Sequence, residues 1–143
     1  MRTKFEIEDD LRNANQEVSK LQAELQSVMN VDDSLIDEFA TTLQVGQYIQ
    51  HDIQFGKVID WEVNKREPNC NAHININVED GFFVNFYKHT VYASRMLNDI
   101  TYQVRDGEII DDVKIIDFAT FERVKQIVND IFEKAIEYEK LIS

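Results

Sequence analysis

The side chains of this chain whose types could do chemistry are the three histidines His51, His73 and His89, the single cysteine Cys70, and the acidic pairs Asp32-Asp33 and Asp111-Asp112. A nucleophilic Cys70 needs a base within hydrogen-bond reach, and His73 is the nearest in sequence. Three residues along an extended chain place two side chains on opposite faces, so Cys70 reads as an incidental thiol. His73 and His89, with Asp60 or Glu62, are of the types that hold zinc. In the register derived below, position 73 opposes Tyr87 and His89 lies two residues beyond, near the limit of joint ligation. Surface histidines are the reading, and no metal or cofactor is expected. Asp32-Asp33 resembles magnesium ligands in type but is better explained as helix capping, and neighbours in a strand such as Asp111 and Asp112 point apart. With Gly 4 in the whole chain no phosphate-cradling loop is possible, and G-x-S-x-G, H-E-x-x-H and paired C-x-x-C are all absent. The chain reads as a non-enzyme.

The elements that would position these side chains centre on His73–Tyr87, HININVEDGFFVNFY. Ile74, Ile76 and Val78 alternate with Asn75, Asn77 and Glu79, the period of a strand with one buried and one wet face. A two-residue Asp80-Gly81 turn would set Ile76 opposite Asn85. A three-residue loop, Glu79-Asp80-Gly81 with Gly81 left-handed, pairs Val78 with Phe82, Ile76 with Val84 and Ile74 with Phe86, all apolar. The opposite face then carries Asn75 and Asn77 beside Phe83, Asn85 and Tyr87, a mixture of amides and rings suited to a protein interface.

Leu11, Ala14, Val18, Leu21, Leu25 and Val28 form an a/d seam in a helix predicted over residues 8–30, which either lies on the chain's own sheet or pairs with its copy through Leu11, Val18, Leu21 and Leu25. Asp32, Asp33 and Ser34 predict the N-cap of a second short helix ending near Val45-Gly46. Residues 47–55 are ambiguous. Residues 57–66 predict a strand with Ile59, Trp61 and Val63 on one face, broken at Glu67-Pro68-Asn69. After Tyr87, strand is expected first and then a loop. A two-residue Asp106-Gly107 turn pairs Arg105 with Glu108, Val104 with Ile109 and Ile100 with Val113, and Val113 and Ile115 extend the last strand. Thr120 is the expected N-cap of a C-terminal helix whose stripe runs through Phe121, Val124, Val128, Ile131, Phe132, Ala135 and Ile142. The expected fold is α+β: one domain over 1–143, with an N-terminal helical pair (1–46), an antiparallel meander of four to five strands (57–117) and a long C-terminal helix (120–142).

Twenty-seven Asp and Glu against fifteen Lys and Arg give a net charge of −12 and a pI near 4.6. Such a surface repels phosphate backbones and anionic lipid, so direct nucleic-acid and membrane binding are not expected, while a basic protein partner is favoured. A single cysteine, no signal-like apolar run and no membrane-length segment place the chain in a reducing cytoplasm. In size, acidity and lack of a catalytic constellation it resembles phage and mobile-element proteins that inhibit host machinery, such as anti-CRISPR, anti-restriction and DNA-mimic proteins, a resemblance of class and composition. The expected function is that of a non-enzymatic binding protein that inhibits a partner, using Asp106, Glu108, Asp111 and Asp112 with the hairpin face. The alternative is a homo-oligomeric adaptor assembled through the heptad helix.

Overall fold

A computed structural model describes residues 2–67, 70–87 and 90–143, with backbone alone for 86, 87 and 90–92. The chain begins with a single helix, α1, Lys4–Ala40. Thr3 caps it by accepting from the Glu6 N–H at 3.2 Å, the side-chain cap that opens a capping box. The expected break at Asp32-Asp33-Ser34 is absent, so the helical pair is one helix of 37 residues. These residues do cap backbone, but not their own helix. Asp32 accepts from the Gly107 and Asp106 N–H groups at 2.6 and 3.2 Å, and Asp33 accepts from the Arg66 N–H at 2.8 Å. Local reasoning sees the capping chemistry and cannot see which backbone it serves.

Among the described residues six antiparallel strands follow: β1 Tyr48–His51, β2 Gln54–Asn64, β3 Ala72–Tyr87, β4 Thr90–Arg105, β5 Glu108–Asp111 and β6 Lys114–Ile116, ordered β5-β4-β3-β2-β1-β6. The ambiguous 47–55 segment is β1, a turn with Asp52 at φ 49°, and the start of β2. β5 and β6 lie at opposite edges of the order yet are joined by Asp112-Val113 alone. Three peptide steps span at most about 11 Å, so the sheet must curl until its edges nearly meet. The expected pairing of Ile100 with Val113 is therefore replaced: Ile100 faces Ile76, and the chain after Asp111 crosses to pair with β1. The Asp106-Gly107 hairpin itself forms as expected, with Arg105 opposite Glu108, Val104 opposite Ile109, and φ of 51° and 79° at its two turn residues.

The other Asp-Gly pair does not turn the chain. β3 runs straight through Asp80-Gly81, pairing with β2 on one side and β4 on the other. Val78 faces Val58, Ile76 faces Trp61 and Ile100, Ile74 faces Val63 and Tyr102, and Phe82 faces Phe55. It is Asp80 that takes the left-handed conformation, at φ 53°. Gly81 is needed because a Cβ there would sit on the carbonyl oxygen of Leu97. A hairpin would leave β3 one partner strand, whereas the straight path supplies two, and the Asp-Gly chemistry serves a bulge instead. The predicted loop after residue 92 is likewise strand, because β4 follows β3 to its end.

The bulge reverses which side of β3 is buried. Residues paired across a ladder share a face. Phe55 lies two residues before Lys57, and so opposite Val58; its partner Phe82 is therefore opposite Val78. One face buries Ile74, Ile76, Val78, Val58, Ile100 and Val104 beneath Ile36, Leu35 and Phe39 at the end of α1. The opposite face, beyond the bulge, buries Phe55, Phe82 and Val84 beneath Phe121 and Val128 of α2, Phe118–Ile142. A second bulge between Val58 and Asp60 turns Val58 inward and leaves Ile59 exposed, the reverse of the expected alternation. α2 starts one turn earlier than expected, capped by Asp117, which accepts from the Thr120 N–H at 2.7 Å; the Thr120 side chain first, and then this N–H, hold the Asp117 carboxyl below its usual range. Its stripe is covered only as far as Phe132, and Ile142 is exposed.

Candidate interaction surface

α1 is 37 residues long, and the body covers only its last part. Every residue from Lys4 to Val28 is exposed, including the seam residues Leu11 (59%), Val18 (52%), Leu21 (55%) and Leu25 (45%). Of the two readings of the seam, packing on the chain's own sheet is the one the structure does not show. Charges along this stretch pair locally, Arg2 with Asp10, Lys4 with Glu8 at 3.8 Å and Arg12 with Asp9 at 3.7 Å, contacts that support a solvated helix but contribute little each.

The projecting part is held rigidly to the body by a clasp that the sequence alone did not reveal. Asp32, fully buried, bonds the β4–β5 turn as described and lies 3.9 Å from Nε of Arg66. Arg66 donates to Asn71 Oδ1 at 2.6 Å and approaches Asp106 at 3.5 Å. Lys65 pairs with Asp37 one turn further along α1. A signal existed: Asp32, Leu35 and Phe39 continue the seam spacing, so a carboxylate sits where the pattern calls for a buried side chain.

The expected amide-and-ring face is divided. Asn75 accepts from the Thr101 hydroxyl at 3.2 Å and Asn77 donates to Asp60 at 2.5 Å, both on the sheet face opposite Ile74 and Ile76. Phe83 and Asn85 lie past the bulge on the other face, because the strand is continuous and its buried side switches. The Tyr87 side chain is outside the described set. Asp106 and Glu108 are exposed at the β4–β5 turn, Asp111 is half-buried in β5, and Asp112 is exposed in the link to β6.

The two described histidines, His51 and His73, do not converge. His73 stands beside Asn64 and Gln103 rather than Tyr87, its Nδ1 3.0 Å from the Asn71 carbonyl, and His89 lies outside the described residues. Of these two, His51 meets acidic neighbours, with Nδ1 2.7 Å from the Asp112 carbonyl and Nε2 3.7 Å from Asp111, fastening β1 to the β5–β6 link. Cys70 is exposed in a turn closed by Glu67, with Pro68 and Asn69 outside the described residues. Among the described residues no three His, Cys, Asp or Glu side chains are grouped to hold a metal ion, and no helix is long and apolar enough to cross a membrane.

Comparison with protein-family models, curated proteins and solved structures finds no match.

Proposed function

We propose that this protein is a non-enzymatic interaction module that assembles with itself through α1. The observation that carries this reading is the apolar seam standing free of the body over more than three turns. Soluble chains seldom expose an ordered apolar stripe unless something covers it, and a/d spacing suits another helix. A cytoplasmic setting and a role as an adaptor or scaffold accompany the reading. Replacing Val18 and Leu21 together with Glu is expected to yield a folded monomer, because neither residue touches the body. Sedimentation would show the mass halved or more, with unfolding by urea unchanged. An unchanged sedimentation coefficient would remove the proposal.

A second reading, a basic partner inhibited by the acidic surface in the manner of anti-CRISPR or DNA-mimic proteins, is favoured by the exposed carboxylates of Asp106, Glu108 and Asp112 along one edge of the curled sheet. Asp106 also faces Arg66, so Glu108 and Asp112 are the cleaner pair to change. Their replacement by Lys is expected to weaken capture of a basic partner and flatten its salt dependence. Equal affinity and equal salt slope for the variant would exclude an electrostatic interface there.

A further inference from the structure

We infer that the second copy lies antiparallel on the first, residue 7 of each chain against residue 25 of the other, an arrangement that rests on the self-assembly reading above. The argument starts from helical phase. At 100° per residue the free seam, Leu11 to Val28, points in the same direction as Asp32, Ile36 and Phe39, which are the residues turned into the body. The body therefore occupies the space directly in line with the seam, beginning at the β4–β5 turn, where Gly107 lies against Val31.

A parallel, in-register partner would have to continue past Val28 through that occupied space. An antiparallel partner ends there instead, its N-terminus meeting the turn. Sliding Ile7 against Asp32 is blocked because Asp32 is enclosed by its own clasp. One heptad back, Ile7 faces Leu25, Leu11 faces Leu21 and Ala14 faces Val18, all apolar, while Val28 at the end of the seam faces the methylene stem of Lys4. The ends of this register are complementary in charge: Arg2 and Lys4 of one chain arrive beside the acidic turn of Asp106 and Glu108 in the other. Against it stands the row Asp10, Glu17 and Glu24, which faces its own copy. Like-charge pairs of this exposed kind cost about 0.2–0.5 kcal/mol each on a helix, and Lys20 lies between Glu17 and Glu24 on that side. Steric exclusion by the body outweighs them.

The test uses the full chain with Cys70→Ser, carrying Ile7→Cys or Leu25→Cys, under mild oxidation. Disulfides need Cβ atoms about 3.5–4.5 Å apart. The expected result is a dimer by sedimentation in which neither variant cross-links alone but an equimolar mixture does, since the two copies of position 7 would stand ~27 Å apart. Efficient cross-linking of Ile7→Cys alone would keep self-assembly and overturn the antiparallel arrangement. A dimer in which the mixture also fails to cross-link would overturn the register. A monomer, with no cross-link in any sample, would overturn the self-assembly reading itself.

Discussion

Asp32→Ala is expected to destabilise the protein by about 3–5 kcal/mol, the range for removing one partner from a buried charge pair. The carboxylate is fully buried and holds three things at once: the N–H groups of Asp106 and Gly107 and the neighbouring Arg66 guanidinium. Alanine strands both N–H groups and leaves Arg66, whose side chain is 12% exposed, with the neutral Asn71 amide at 2.6 Å and, as its remaining carboxylate, the solvent-exposed Asp106 at 3.5 Å. The Arg66 Nε already lacks a hydrogen-bond partner among the described residues, and Asp32 is the buried carboxylate that faces its charge. An asparagine at this position would keep the shape and one acceptor while opposing its NH2 to a second donor, and Asp32→Asn should fall between wild type and Asp32→Ala. Urea denaturation of the three proteins measures the series. A loss below about 1 kcal/mol for Asp32→Ala would mean that the clasp does not hold α1 to the sheet.

Gly81→Ala should cost about 3 kcal/mol, at or above the upper end of ordinary overpacking, because the added carbon meets backbone rather than a side chain that can swing away. Leu97 would have to retreat, which pulls β4 from β3 at the point where both cores begin. Gly46→Ala is the comparison. Gly46 has φ 91° but open space around it, so its substitution carries backbone strain alone, about 1 kcal/mol. If Gly81→Ala is no worse than Gly46→Ala by thermal or urea unfolding, then β3 and β4 do not approach as described. A hairpin at Asp80-Gly81 would make that very prediction, so the pair of variants also decides between the straight strand and the turn.

The two Asp-Gly sites show how far local reading reaches. At Asp106-Gly107 the chain turns into β5, a short edge strand whose one neighbour is β4, and turn chemistry decides the outcome. At Asp80-Gly81 the same dipeptide lies in a strand with neighbours on both sides. Pairing satisfies both edges of β3 only if the chain goes straight, and a long-range gain overrides a local preference. The amide-and-ring face was read from strict alternation, which a bulge breaks. The strand content of β3 and the polarity of Asn75 and Asn77 survive, but their grouping with Phe83 and Asn85 does not.

Asp32 and Asp33 teach the same lesson at a helix. Their type announced that they would bind backbone N–H groups, as they do, but in the β4–β5 turn and at Arg66.

Sequence alone determined the α+β character, the heptad seam of α1, the β4–β5 hairpin with its register and the apolar stripe that docks α2, because each rests on periodicity or on turn chemistry acting within a few residues. Only the tertiary structure decided that the N-terminal helices are one, that β3 runs on through Asp80-Gly81 rather than turning, that the sheet curls until β5 and β6 are two residues apart, and that the seam stands free. Each of these depends on which distant surface is there to receive a side chain or a backbone edge, and the spacing of residues along a chain does not encode that.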